Sequence, residues 1–252
     1  MSALLELERC TVRFGGLTAV SELTLQLGAG DLVGLIGPNG AGKTTVFNVI
    51  TGVYQPGEGD IRYRGESVVG HAPWRITACG IARTFQNIRL FPSLSVFDNV
   101  RVAFHLHLEH GIRDALWRGR AFLEEEKCID GQVMDLLEIF GLGKFRDSAA
   151  KELSYGDQRR LEIVRALATR PTLLLLDEPA AGMNPTEKVA LMKLIQFIED
   201  KYKISILLVE HDMKVVMGIC RRIIVLDYGV KIAEGTPEQV RADPKVIEAY
   251  LG

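Results

Sequence analysis

Residues 32–50 read LVGLIGPNGAGKTTVFNVI. The apolar run at 32–36 predicts a buried strand, and residues 44–50 predict a helix. The eight residues from Gly37 to Thr44 join the two and fit G-x-x-x-x-G-K-S/T, the pattern of a phosphate-binding loop. A strand, a glycine-rich loop and a helix in this order predict an α/β protein that binds a nucleotide.

The loop has the chemistry that phosphates require. Gly37, Gly40 and Gly42 permit backbone geometry in which successive N–H groups face an anion, and the helix dipole strengthens the attraction. Lys43 would reach the β- and γ-phosphates, and the Thr44 hydroxyl would hold Mg²⁺. The residues expected to contact the phosphates are Gly37, Pro38, Asn39, Gly40, Ala41, Gly42, Lys43, Thr44 and Thr45.

Composition excludes several classes of protein. The chain has 252 residues, a net charge of −2 and 47% hydrophobic residues, which suits one large domain or two small ones. The sequence shows no stripe of basic residues, which a protein that binds nucleic acid without sequence preference would normally have. The four cysteines lack C-x-x-C spacing and indicate reduced thiols. Residues 1–30 lack a signal-peptide pattern and no apolar run is long enough to span a membrane, so we expect a soluble protein.

The rest of the chain extends the α/β pattern. Alternating residues at 5–8 and 23–27 predict half-buried strands. Strands at 172–177 and 204–209 alternate with helices at 157–169 and 185–200, which predicts a largely parallel sheet covered by helices. Further expected elements are a helical segment over 95–140, with a regular helical period over 124–140, paired strands at 222–227 and 230–234, and helices that begin near Thr236 and Asp243.

A pair of carboxylates follows the apolar run 173–176. The strand would deliver Asp177 and Glu178 to the carboxyl edge of the sheet, where open α/β folds bind ligands. Asp177 suits an Mg²⁺ site, and Glu178 could polarise the water that attacks the γ-phosphorus. The alternative interpretation is a strand that ends in two solvated acids.

Residues 153–158, LSYGDQ, resemble the L-S-G-G-Q signature of ABC (ATP-binding cassette) ATPases. Ser154 is a good N-cap, and Gly156 leaves N–H groups open at a helix N-terminus. The resemblance implies that these donors close on the γ-phosphate of ATP bound to a second protomer. It also identifies Gln86 with the Q-loop, His211 with the switch histidine, and Phe14 with the aromatic side chain that stacks on adenine.

The resemblance implies a fold and a site. The fold would be that of a P-loop NTPase of the ABC type, with a RecA-like core, a mostly parallel sheet, an antiparallel β subdomain and an inserted helical subdomain. The expected parts of this one ATP-binding domain are a core at 1–86 and 155–235, a helical subdomain at 87–154 and a helical tail at 236–252. ATP and Mg²⁺ would be the cofactors. The implied catalytic residues are Glu178, His211, Gln86 and Lys43, and the implied metal ligands are Thr44, Gln86 and Asp177.

Several short segments of the sequence resemble one subfamily in particular. Residues 82–91, 153–156, 178–185, 209–213 and 247–252 resemble the ATP-binding subunit of branched-chain amino acid importers. The resemblance implies membrane permease subunits, a second ATPase subunit that is identical or different, an indirect periplasmic binding protein, and a peripheral place at the cytoplasmic face of the inner membrane. The alternatives are ABC systems for urea or lipopolysaccharide, and a soluble ABC ATPase that acts on nucleic acid. The stretch between Gln86 and Ser154 is too short for the coiled-coil arms of the last class.

Two positions depart from the wider superfamily, and at least one of four apolar positions is expected to meet the permease. Asn184 stands where most cassettes have Asp, and it would cap a helix that begins at Pro185. Asp157 stands where Gln or Glu is common, and we expect its side chain to point away from the phosphate-accepting site. At least one of the apolar side chains that follow Gln86 should line a groove for a permease helix. These side chains are Ile88, Leu90, Phe91 and Leu94.

Overall fold

A computed structural model describes residues 3–107 and 119–251. The described chain forms two compact units, one of residues 1–83 and 172–252 and the other of residues 84–171. No helix within the two described ranges is long and apolar enough to cross a membrane.

The strands are β1 Leu5–Phe14, β2 Leu17–Leu27, β3 Leu32–Ile36, β4 Glu58–Tyr63, β5 Glu66–Ser67, β6 Ile81–Arg83, β7 Leu173–Asp177, β8 Ser205–Val209, β9 Arg222–Asp227 and β10 Val230–Gly235. The helices are α1 Lys43–Ile50, α2 Pro73–Cys79, α3 Val96–Phe104, α4 Arg120–Ile139, α5 Tyr155–Leu167, α6 Pro185–Tyr202, α7 Met213–Ile219, α8 Pro237–Ala242 and α9 Pro244–Leu251.

The first unit contains two sheets. One is antiparallel, with the order β2-β1-β4-β5, and the other has the order β10-β9-β3-β8-β7-β6. In the second sheet β9, β3, β8, β7 and β6 are parallel, and only β10 runs against its neighbour. The predicted α/β class, with a mostly parallel sheet and an antiparallel β part, is confirmed.

The parallel sheet is buried at its centre. Every residue of β3, β7 and β8 is buried, as expected for strands covered by helices on both faces. Leu35 pairs with Val209, and Val209 with Asp177, so the three central strands end at one edge. The loops that follow β3, β7 and β8 therefore meet there.

Helices form the second unit, with 3₁₀ turns at His105–His107, Gly143–Phe145 and Ala150–Glu152. Helix α3 packs against α4 and α5. The unit runs through α5 to residue 171, whereas the sequence analysis placed residues from 155 onward in the core. The difference arises because α5 packs on α3 and α4. The predicted helical segment over 95–140 is partly described, and its residues 108–118 lie outside the described ranges.

All four cysteines are free. Cys79 and Cys128 are exposed, whereas Cys10 and Cys220 are buried. Burial raises the pKa of the Cys10 thiol to about 11 and that of the Cys220 thiol to about 12. The two buried thiols act as small apolar side chains.

Candidate functional site

The loop between β3 and α1 has a backbone that only glycine fits. Gly37, Gly40 and Gly42 have φ values of 151°, 81° and 98°. A Cβ atom on Gly37 would lie 2.0 Å from the carbonyl oxygen of Leu226, and one on Gly42 would lie 2.5 Å from that of Ala19. Helix α1 begins with no side-chain cap, so its first N–H groups are open to an anion. This loop fits a phosphate.

Lys43 is buried at the start of α1. Its Nζ donates to the carbonyl oxygens of Gly37 at 2.7 Å and Pro38 at 2.8 Å. Burial lowers the pKa of this ammonium, and the nearby carboxylates of Glu178 and Asp177 oppose that effect. Both carboxylates thus act electrostatically on this ammonium.

Asp177 ends β7 and is held by an arginine that the sequence analysis did not identify. Arg83 Nη2 donates to Asp177 Oδ2 at 2.8 Å, and Arg83 Nη1 donates to Asn48 Oδ1 at 2.7 Å. The guanidinium lies 5.4 Å from the centre of the Phe47 ring. Arg83 thereby links the Asp177 carboxylate to α1. A charged residue at the end of the short apolar strand 81–83 was the available signal in the sequence.

Glu178 follows Asp177 in a conformation that side chains seldom adopt. Its φ is 47°, in the left-handed region where non-glycine residues are strained and cluster at functional sites. Its N–H donates to the Val209 carbonyl oxygen at 2.8 Å. Its Oε2 lies 2.9 Å from Nε2 of His211. The strained turn therefore aims Glu178 at the loop that follows β8.

Glu210, also unidentified by the sequence analysis, fixes the next turn. Its buried carboxylate accepts from the Ala180 N–H at 2.6 Å and from the His211 N–H at 3.2 Å. Burial raises the pKa of this carboxyl, and the hydrogen bonds from Ala180 and its other neighbours oppose the rise. Glu210 thus ties the segment after Glu178 to the segment that carries His211.

Phe14 lies at the end of β1 and is partly exposed. Its ring meets that of Tyr54 edge to face, with centroids 5.0 Å apart and an interplanar angle of 72°. Such pairs are favourable beyond the area they bury. Tyr54 therefore holds the ring that the sequence analysis assigned to adenine stacking.

The outer side of the phosphate loop meets the end of the chain. A cavity of about 390 Å³ is lined by residues of the loop, by Tyr228 and by Lys245 and Glu248 of α9. Burial raises the pKa of the Tyr250 hydroxyl, and a hydrogen bond with the Gly37 backbone lowers it in part. Helix α9 therefore supports the loop from outside.

Three of the expected site residues lie in the second unit: Gln86, Ser154 and Gly156. Ser154 is the N-cap of α5, and its Oγ accepts from the Asp157 N–H at 3.2 Å. The same Oγ donates to Asp157 Oδ2 at 2.7 Å, and Arg160 bonds Asp157 Oδ1 at 2.6 Å. The expectation that the Asp157 side chain points away is wrong, because the carboxylate lies against the Ser154 hydroxyl.

The first unit thus gathers Lys43, Asp177, Glu178 and His211 at one edge of a parallel sheet, beside a loop shaped for phosphate. Such a fold and such a site define a P-loop nucleotide-binding protein.

Comparisons with known proteins narrow this class. Residues 20–181 match the model of the ABC transporter family, and residues 230–252 match that of the branched-chain amino acid ATP-binding cassette transporter. The chain belongs to the ABC transporter family of ATP-binding cassette ATPases.

Two curated relatives are similar over nearly their whole length. The chain is 46% identical over 249 residues to the high-affinity branched-chain amino acid transport ATP-binding protein BraF of Pseudomonas aeruginosa, and this match covers 99% of the chain and 98% of the relative. It is 46% identical, with the same coverage, to LivG of Escherichia coli K12, which has the same description.

Solved structures of ATP-binding cassettes match the fold of this chain. A crystal structure of the ADP conformation of an ATP-binding cassette of an ABC transporter matches with a TM-score of 0.86 and 30% identity, over 100% of both chains. A nucleotide-free ATP-binding cassette matches with a TM-score of 0.85 and 29% identity, again over 100% of both chains. The ABC ATPase fold is thus confirmed.

Proposed function

We propose that this chain is the ATP-hydrolysing subunit of an importer that takes up branched-chain amino acids through a membrane permease. One observation carries the ATPase part of this proposal, namely that β3, β7 and β8 end at one edge, where their ends and the segments after them carry Lys43, Asp177 with Glu178, and His211. The names of the relatives and the match over residues 230–252 support the cargo.

The nucleotide would lie along the first unit. The N–H groups of the loop and of α1 would bind its phosphates, and Phe14, held by Tyr54, would stack on adenine. Thr44, Asp177 and Gln86 would hold Mg²⁺. Within residues 3–107 and 119–251, no group of three or more His, Cys, Asp or Glu side chains could hold a metal ion. Mg²⁺ binds proteins through one or two carboxylates together with waters and substrate phosphates.

Hydrolysis would depend on side chains already in place. Glu178 would accept the proton of the attacking water, and His211, at 2.9 Å, would orient that carboxylate. Lys43 would leave the Gly37 and Pro38 carbonyls and neutralise charge on the γ-phosphate. Ser154 and Gly156 of a second protomer would complete the site.

The chain would act on the inner membrane from its cytoplasmic face, bound to permease subunits. A second ATPase chain, identical or related, would supply the opposite half of each site. A periplasmic binding protein would deliver the cargo to the outer side of the permease.

A single substitution tests the ATPase role. Glu178→Gln should leave ATP affinity within about twofold and lower the steady-state ATPase rate of the assembled transporter by about 10²–10⁴-fold, because an amide accepts no proton. Glu187→Gln is the matched control, since Glu187 lies exposed on α6 and its amide would preserve the cap at Asn184. A Glu178→Gln variant that retains more than half of the turnover contradicts the role of Glu178.

The cargo needs a separate measurement. Vesicles that contain the transporter and its binding protein should accumulate labelled leucine, isoleucine or valine when ATP is supplied, and they should not accumulate urea. Uptake of urea with no uptake of these amino acids would favour the alternative cargo.

A further inference from the structure

Helix α5 buries two opposite charges. Arg159 is 0% exposed and Glu162 is 2% exposed. Arg159 Nη1 lies 2.9 Å from Glu162 Oε2, one helical turn further along. A buried ion pair is weak support for stability, since apolar side chains of similar volume often replace it without loss. The other bonds of the pair indicate what it does.

Those bonds go to the backbone around Gln86. Arg159 Nη1 donates to the Phe85 carbonyl oxygen and Arg159 Nη2 to that of Gln86, both at 2.5 Å. Glu162 Oε1 accepts from the N–H of Phe85 at 3.3 Å and from that of Arg89 at 3.2 Å. The pair thus binds carbonyl oxygens and N–H groups of residues 85–89, which we call the Gln86 segment.

The same helix begins at the signature residues. Ser154 is its N-cap and Gly156 lies in its first turn. The guanidinium of Arg159 also donates to the Tyr155 hydroxyl at 3.3 Å. Arg159 lies five positions after Ser154, which corresponds to a rise of about 7.5 Å along the helix. An α-helix is rigid over this distance, so a shift of the Gln86 segment moves Ser154 with it.

We propose that Arg159 and Glu162 are positioning residues that make the Gln86 segment and the Ser154 terminus of α5 move as one body. The proposal rests on the proposed function, in which Gln86 would hold the Mg²⁺ that accompanies the nucleotide of its own chain and Ser154 would meet the nucleotide of the partner. The buried pair then couples the two ATP sites of the dimer. It acts through Gln86 and Ser154 and touches no nucleotide itself.

The test separates coupling from stability. Arg159→Met removes both bonds to the carbonyl oxygens, and Arg159→Lys keeps the charge while its single ammonium replaces the two-armed guanidinium. Arg101→Met is the matched control, because Arg101 forms ion pairs with Glu126 and Asp130 within the same unit. Four quantities are measured: the ATP dissociation constant of the free chain, kcat and the Hill coefficient for ATP in the assembled transporter, and amide exchange over residues 85–89.

For Arg159→Met we expect exchange at Phe85 and Arg89 to rise at least tenfold and kcat to fall at least tenfold. The Hill coefficient should approach one, and the dissociation constant should stay within twofold. Arg159→Lys should give intermediate values of kcat and exchange, and Arg101→Met should match the parent. If Arg159→Met does not fold, Arg159→Lys takes its place. A loss of at least threefold in kcat, with faster exchange, a lower Hill coefficient and a dissociation constant within twofold, then supports the proposal.

Two results overturn the proposal. One is faster exchange over residues 85–89 with kcat and the Hill coefficient unchanged. The other is a loss of ATP affinity in proportion to kcat, which indicates a general loss of structure. Glu178→Gln is the reference for the proposed function. If Glu178→Gln hydrolyses ATP at the parental rate, the proposed function fails. If only the coupling proposal fails, Glu178→Gln is inactive while the Arg159 variants keep the parental kcat.

Discussion

Arg83 shows how one buried side chain organises the nucleotide edge of the sheet. Its guanidinium bonds Asp177, Asn48 and, at 3.3 Å, the Thr51 hydroxyl. The side chains of Arg83 and Asp177 are 7% and 3% exposed. Water therefore cannot solvate either charge if the other is removed.

Replacing this cation should be costly. Arg83→Met leaves the Asp177 carboxylate buried without its guanidinium, and breaking such a pair typically costs about 3–5 kcal/mol. We expect a decrease of that size in the free energy of unfolding of the isolated chain, measured by urea denaturation.

Arg62→Met is the control for Arg83→Met. Arg62 pairs with Asp60 at 2.9 Å at the surface, where water solvates both charges and an ion pair contributes little to stability. Equal losses in the two variants would show that the Arg83 pair gains nothing from its burial.

The segment before α3 presents an aromatic ring on a fixed backbone. Asn99 of α3 is fully buried. Its Oδ1 accepts from the Phe91 N–H at 2.9 Å, and its Nδ2 donates to the Phe91 carbonyl oxygen at 3.1 Å. The Phe91 ring is nevertheless 47% exposed. Ile88, Leu90 and Leu94 are half-buried, so Phe91 is the most exposed of the four side chains that the sequence analysis connected with a permease helix.

We predict that Phe91 is a contact for a permease helix. Phe91→Asp should leave basal ATPase of the free subunit within about twofold, while transport in vesicles falls at least tenfold, because a carboxylate cannot enter an apolar helix interface without losing its hydration. Phe197→Asp is the matched control, since the ring of Phe197 on α6 is 45% exposed. Equal transport by the parent and Phe91→Asp would place the contact elsewhere.

At the level of the whole molecule, the proposed active form contains two chains. Lys43 and Glu178 lie in the first unit and Ser154 in the second. In the proposed dimer, a γ-phosphate joins Lys43 of one chain to Ser154 of its partner. The association of the chains should therefore depend on ATP.

Sedimentation tests this dependence. Glu178→Gln should sediment as a monomer without nucleotide and as a dimer with ATP, because the unhydrolysed γ-phosphate holds the two chains together. The control is Ser154→Asn in the same background. Asn is a good neutral N-cap beside the Asp157 carboxylate and preserves α5, but its larger amide replaces the hydroxyl that would meet the phosphate, so this double variant should stay monomeric. A dimer of equal strength with and without ATP contradicts the nucleotide-bridged interface.

Local structure followed closely from the sequence. Asn184 and Thr236 were expected to cap helices, and both form capping boxes, with Glu187 and Gln239. The strands predicted at 172–177 and 204–209 are observed at Leu173–Asp177 and Ser205–Val209. Such features depend on residues a few positions apart. For the same reason the glycine pattern of residues 37–42 already implied the phosphate loop.

The network around the site depends on contacts between distant parts of the chain, which the sequence left undetermined. Arg83 meets Asp177, His211 meets Glu178, and Arg159 meets the Gln86 segment. The sequence predicted which residues of the first unit carry the chemistry, because Lys43, Asp177, Glu178 and His211 each follow a recognisable strand or motif. Only the tertiary structure decided which side chains hold them, because the register of parallel strands and the packing of α5 select which buried charges become neighbours.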